Sequence, residues 1–291
     1  MQGLIRKAIA GFYYVEAGSA VFECKARGIF RKKEMSPLVG DIVEMEPIAE
    51  GVGVIVQVLP RRNQFGRPPV ANLEQLAVVA STCEPTANPL LMDRMIALAE
   101  DRQVEPLVVL TKSDLQSGEE LASRYRLAGI PVFCVCCPTG EGMDDLRGRL
   151  RGRVTAFCGN TGVGKSSLLN ALEPGLSLAT GEISQKLGRG RHTTRHVELF
   201  RLDGGGYLAD TPGFSSLESL EGETVLKDNL AFAFREFVPY LGQCRFTSCS
   251  HTGEKGCAVY QAVQEGKIAS GRYENYVQLY QQARTIKEWE L

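Results

Sequence analysis

Eight consecutive residues, Gly159-Asn160-Thr161-Gly162-Val163-Gly164-Lys165-Ser166, match the phosphate-loop pattern G-x-x-x-x-G-K-[ST] at every fixed position. The residue types set the chemistry. Glycines let the backbone turn tightly, so that successive N–H groups face phosphate oxygens. A helix starting where the loop ends adds a favourable field for an anion. Lys165 is expected to reach the β- and γ-phosphates and the Ser166 hydroxyl to bind Mg2+, with Asn160, Thr161, Val163 and Ser167 completing the nucleotide-binding set. The flanks fit. Val154-Thr155-Ala156-Phe157-Cys158 reads as a buried parallel strand, and Ser167 to Leu172 as the first turns of a helix closed by Pro174-Gly175.

Three other groups carry chemistry. Thr111-Lys112-Ser113-Asp114 follows the apolar run Leu107–Leu110 directly. A carboxylate at a strand's C-terminal end can accept from the N1–H and exocyclic amine of guanine, with the Lys112 stem along the base. Alone the motif could be a helix-capping turn; beside a phosphate loop it points to guanine specificity. The turn Cys136-Cys137-Pro138-Thr139-Gly140-Glu141-Gly142 could bring backbone groups to the base edge, its two cysteines filling tight space rather than acting as a redox pair. Asp210-Thr211-Pro212-Gly213 closes the run Tyr207–Ala209; Asp210 is expected to hold Mg2+ through water and the Gly213 N–H to read the γ-phosphate. Last, Cys244, Cys249, His251 and Cys257 have the type and spacing of a tetrahedral Cys3His zinc site.

The rest of the chain must hold these groups. Its 291 residues suit two or three domains, and 44% hydrophobic with 23% charged residues is ordinary for a globular protein. No apolar run reaches the length of a membrane span, and Met1 to Lys7 lacks a signal-peptide core, so a cytoplasmic location is expected. The net charge of −1 hides basic stretches: Arg27, Arg31, Lys32 and Lys33 surround one turn, and Lys186 to Arg201 carries five cations against Glu198. Such patches can touch RNA. Residues 10–15, 20–26, 41–45 and 51–59 read as short strands of a small β barrel, with the OB-fold leading. Residues 60–69 read as a linker. An α/β pattern follows from Leu76, with a helix over Leu90–Arg102. Tyr276, Leu279, Tyr280, Ala283 and Ile286 recur at helical spacing near the end.

The motif order is informative. Ordinary small GTPases place the phosphate loop first and the guanine motif last; here T-K-S-D precedes the phosphate loop, as if the ends had been joined and the chain cut elsewhere. With a barrel before and a cysteine cluster after, the whole chain resembles the RsgA family of circularly permuted, ribosome small-subunit-dependent bacterial GTPases. The likeness rests on T-K-S-D at 111–114, the phosphate loop, G-R-H-T-T at 190–194, D-T-P-G-F at 210–214 and the cluster at 244–257.

The resemblance implies a multidomain fold: an N-terminal OB-fold over 1–68, a circularly permuted α/β P-loop GTPase over 69–222 and a mainly helical zinc domain over 223–291. It implies GTP hydrolysis with Mg2+, one structural zinc, and binding to the small ribosomal subunit and its rRNA late in maturation, with subunit-stimulated turnover. A monomer that touches no membrane is expected. Thr193 or Thr194 would complete the Mg2+ coordination. Two departures stand out. Thr111 replaces the usual Asn, which is expected to loosen the nucleotide-binding loops. Phe214 stands where many GTPases carry a water-orienting glutamine, which makes His192 the candidate catalytic group beside Lys165. The competing readings are an RNA-binding assembly chaperone with a slow or vestigial nucleotide site, and an ATP-dependent enzyme, which Asp114 opposes.

Overall fold

The computed structural model describes residues 1–28, 30, 36–66, 68–176, 197–210 and 224–285. Five strands form the N-terminal barrel: β1 (Gln2–Ile9), β2 (Phe12–Ala17), β3 (Ala20–Ala26), β4 (Ile42–Ala49) and β5 (Val52–Val58). They pair in the order β1-β2-β3-β5-β4, and β4 returns to β1, which closes the barrel. Alternate side chains fill it, with Ile5, Val15, Cys24, Val43, Met45 and Ile55 all buried. β1 lies ahead of the first strand expected from sequence. Only Gly3 and Ile5 of this strand are buried, and Arg6 and Lys7 interrupt its apolar pattern.

Residues 60–69 are not a free linker. A short hairpin joins β6 (Gln64–Phe65) to β7 (Val70–Ala71), with Phe65 and Val70 buried. Arg61 grips the buried Asp41 carboxylate through Nε at 2.7 Å and a second nitrogen at 2.8 Å. The Asn63 side chain pairs with both main-chain groups of Leu73, at 2.8 and 3.0 Å. The Gly/Pro/polar composition that suggests a linker instead marks tight turns whose polar groups find partners 10 to 20 residues away.

The central domain is a sheet covered by helices. β8 (Gln75–Ser81), β9 (Glu105–Thr111), β10 (Val132–Val135), β11 (Val154–Cys158) and β13 (Tyr207–Asp210) run parallel in the order β10-β9-β8-β11-β13, and β12 (Glu198–Arg201) pairs antiparallel with β13. All of β8 is buried, because its residues alternate between two cores. Leu76, Val78 and Ala80 join the core containing α1 (Pro89–Asp101); Ala77 and Val79 join the core of α3 (Met143–Leu150) and α4 (Lys165–Leu172). The crossover from β9 to β10 is α2 (Glu119–Leu127).

The barrel and this sheet are continuous. β1 pairs with β12 at Lys7 and Glu198, and Glu198 in turn lies opposite Asp210 of β13. The C-terminal region holds α5 (Lys227–Leu230), α6 (Ala258–Gln264) and α7 (Ser270–Ala283). As the helical spacing predicts, Tyr276, Leu279 and Ala283 are buried in α7, which packs on α1; Ile286 lies outside the described residues.

Candidate functional site

The phosphate loop connects β11 to α4, at the centre of the sheet's C-terminal edge. Gly162 and Gly164 take φ of 84° and 88°, which side-chain-bearing residues rarely adopt. A side chain at Gly159 would place its first carbon 2.5 Å from the Val79 carbonyl oxygen. The spacing of glycines is thus what lets the loop arch over the strand ends and deliver its N–H groups to α4's first turn. Lys165 begins α4 and directs its Nζ back to the Gly159 carbonyl at 3.5 Å. Ser166 and Ser167 follow in the same turn. Beneath the loop, burial pushes the Cys158 thiol up to about 12 against the opposing charge of Lys165, so it stays neutral and serves packing.

The second loop leaves β9. Thr111 is buried, and its hydroxyl faces two carbonyls: Ala80 at 3.2 Å and, more closely, Val163 in the phosphate loop. A threonine hydroxyl is short, but placed here it still bonds one loop to the other. Lys112 sits in a left-handed conformation with φ of 60°, and Asp114 is exposed at the strand's end, where a ligand can reach it.

The third loop leaves β10 and lies against the second through Ser113 N–H and the Val135 carbonyl at 3.4 Å. Cys136 is fully buried and closes the turn: its N–H donates to Glu141 at 3.0 Å and its carbonyl accepts from Gly140 at 2.9 Å. Gly142, at φ of 72°, approaches the Cys134 carbonyl so closely that no side chain fits. Burial, then the neighbouring Cys136 and Asp114, push the half-buried Cys137 thiol up. Cys136 fills space beneath the turn and Cys137 packs beside it.

Three loops from scattered stretches therefore meet at one edge. His192, Thr193, Thr194, Gly213 and Phe214 lie outside the described residues, and of Asp210 the backbone alone is described, ending β13 beside β11. Among the basic residues around the barrel turn, Arg27 pairs with Glu46 at 2.6 Å, and 31–33 lie outside the described residues.

The cysteine cluster is a separate centre. The ligand atoms of Cys244, Cys249, His251 and Cys257 all lie within 4.8 Å of one another. His251 Nδ1 is 3.5 Å from Cys244 Sγ and 3.6 Å from Cys257 Sγ, and those two sulfurs are 4.0 Å apart. A tetrahedron with Zn–S near 2.3 Å and Zn–N near 2.0 Å has edges of about 3.8 Å (S–S) and about 3.5 Å (S–N). The donor set therefore suits zinc in softness, and the distances among Cys244, His251 and Cys257 suit it in size. Amide N–H groups of Ala258 and Tyr260 donate to Cys244 and Cys257 at 3.3 and 3.4 Å, which suits thiolates. The loop carrying His251 is held by Glu254. Burial alone would raise this carboxyl, but the Ser250 hydroxyl and the amides of Ser250 and Thr252 hold it down at about 2.

A rearranged P-loop sheet, a carboxylate-bearing loop at the neighbouring strand end and a Cys3His cluster are the features of a circularly permuted GTPase. The sequence matches the RsgA N-terminal domain over residues 2–55 and the RsgA GTPase over residues 58–220, and the chain belongs to this GTPase family. The Small ribosomal subunit biogenesis GTPase RsgA of Caldanaerobacter subterraneus is 46% identical over 293 residues, covering 100% of this chain and 97% of that protein. The protein of the same name from Geobacillus kaustophilus is 47% identical, covering 95% of each. Among solved structures, YjeQ from Thermotoga maritima superposes with a TM-score of 0.84 at 33% identity, over 98% of this chain and 99% of that one. YloQ, a circularly permuted GTPase, gives 0.81 at 34% identity, over 98% and 96%.

Sequence reasoning did not find the groups that brace the site. Thr82 and Glu84, whose contacts reach Lys112, belong to no motif, and Val163 carries its role in a carbonyl.

Proposed function

We propose that this GTPase acts in the late maturation of the small ribosomal subunit, binding the subunit and its rRNA in a GTP-dependent manner and turning over faster when bound. The observation that carries the reading is the bond from Thr111 to the Val163 carbonyl, which joins a guanine-type loop to a phosphate loop at adjacent strand ends. The subunit itself comes from the names of the relatives.

In this reading the N–H groups of the glycine loop and Lys165 hold the β- and γ-phosphates. Asp114 accepts from the base, with Lys112 along its face and Cys136 and Cys137 at its edge. Ser166, Asp210 and one of Thr193 and Thr194 hold Mg2+, which offsets charge on the phosphate oxygens when bound. The Gly213 N–H reads the γ-phosphate, and His192 orients the attacking water. The zinc held by Cys244, Cys249, His251 and Cys257 is structural, since four protein ligands leave no open position. The reading divides the chain at 68 and 222, makes it a monomer and places it in the cytoplasm; among the described residues no helix is long and apolar enough to cross a membrane.

The test is phosphate release from GTP and from ATP, with and without purified small subunits. Strong stimulation with GTP alone is expected, and Asp114→Ala should abolish the GTP preference. Equal turnover of both nucleotides, or no effect of subunits, would sink the reading.

A further inference from the structure

We propose that Thr82 is a positioning residue for guanine specificity: it fixes the register of the base-reading loop by gripping Lys112. The inference rests on the reading that Asp114 takes the base.

Lys112 is a non-glycine residue at φ of 60°, a conformation that needs outside support to persist. The support comes from the segment after β8. The Thr82 N–H donates to the Thr111 carbonyl at 3.0 Å, and the Thr82 hydroxyl donates to the Lys112 carbonyl at 2.8 Å. The Lys112 ammonium donates to the Glu84 carbonyl. One three-residue stretch therefore holds Lys112 at both its main chain and the tip of its side chain. The Thr82 methyl lies over Gly118, 2.7 Å from where the first carbon of a side chain there would sit, so only a glycine lets it take this place, and a β-branched side chain has few rotamers with which to redirect its hydroxyl.

Thr111 is anchored on the phosphate loop. Lys112 is the next residue, and its backbone angles decide where Asp114 points. Releasing the Lys112 carbonyl lets this residue relax toward negative φ, which rotates Asp114 away from a base whose phosphates stay fixed. A guanine base then loses two bonds to Asp114, from N1–H and from the exocyclic amine, and hypoxanthine, which lacks that amine, loses one. Thr82 should therefore matter more for GDP than for IDP.

The experiment measures the affinity of the full zinc-loaded chain for GDP, IDP and ADP in wild type, Thr82→Val and Thr82→Ser. Valine keeps the shape and removes the hydroxyl, and melting temperature with zinc content reports on the fold. Thr82→Val is expected to weaken GDP about tenfold and IDP about twofold. Thr82→Ser should restore most of the GDP-over-IDP preference. Unchanged affinities, or equal weakening of GDP and IDP, would overturn the proposal. Lack of GDP-over-ADP preference in wild type would instead overturn the guanine reading beneath it.

Discussion

The central sheet is joined on two sides, and the two seams rest on different physics. On the barrel side the join is main chain: β1 extends the sheet past β12. Ion pairs dress it. Glu16 accepts from Arg6 at 3.0 Å, and from Arg201 and the Tyr207 hydroxyl at 3.1 Å, while Lys7 meets Glu198 at 2.6 Å. Arg201 is 61% exposed, so much of this charge is in contact with water. On the C-terminal side the join is a buried charge. Arg272 of α7 is 1% exposed and divides its guanidinium between Asp93 of α1 at 2.6 Å and Glu236 at 2.5 and 3.1 Å. Asn275 donates to the other Asp93 oxygen at 2.6 Å, and the Phe234 ring lies 4.8 Å from the guanidinium carbon. Burial alone would lower the Arg272 pKa, but Asp93 and Glu236 push it up, so it stays charged. The strand seam rests on main-chain pairing surrounded by partly exposed charges, and tolerates the loss of any one charge. The buried seam fails as a unit, because removing one partner leaves the others charged in an apolar setting.

The largest effect is expected at the C-terminal side. Cys257→Ser or zinc chelation should withdraw on the order of 10 kcal/mol from the fold of the loop around 244–257. Hydrogen exchange should quicken there and, since the Tyr276 hydroxyl bonds the Ser250 carbonyl at 2.7 Å, in α7, while β1–β5 keep their protection. Protection retained throughout α7 would mean that the buried seam stands without the metal. Arg272→Ala comes next, at about 3–5 kcal/mol in denaturant unfolding. The triple variant Arg272→Met, Asp93→Asn, Glu236→Gln should recover most of that loss. A triple variant as unstable as the single one would remove charge from the explanation. Smallest is Glu16→Gln, about 1 kcal/mol and shrinking as salt rises. Tyr207→Phe should cost almost nothing in a Glu16→Ala background, which removes the acceptor of its bond; full additivity in that background would show that Tyr207 has another partner.

The difference between the seams also marks what could be read from sequence. The phosphate loop, the T-K-S-D loop and the cysteine cluster are local patterns at short spacing, legible as patterns; the structure joins the first two at adjacent strand ends and gathers the four ligand atoms of the third. The barrel's alternation is legible except in β1, where Arg6 and Lys7 face the seam and break the pattern. The buried seam is not legible. Asp93 and Arg272 are 179 residues apart, and each alone looks like a solvated position on a helix. The bracing of Lys112 by Thr82 is hidden for the same reason, a contact across 30 residues made to a carbonyl that every residue possesses. Asn63 and Arg61 show the converse: loop-like composition conceals bonds that only the fold creates.

The strand order has a consequence for synthesis. β8, β9 and β10 are made consecutively, but the free edge of β8 is paired by β11, which begins at Val154, some 70 residues later. At roughly 5–20 residues per second that edge waits several seconds for its partner. Any structure formed by the emerging first half thus carries an unpaired strand whose seven residues are all buried in the finished protein. The rearranged gene order that leaves the mature site intact gives the nascent chain an interval of adhesiveness, closed only when the phosphate-loop strand arrives.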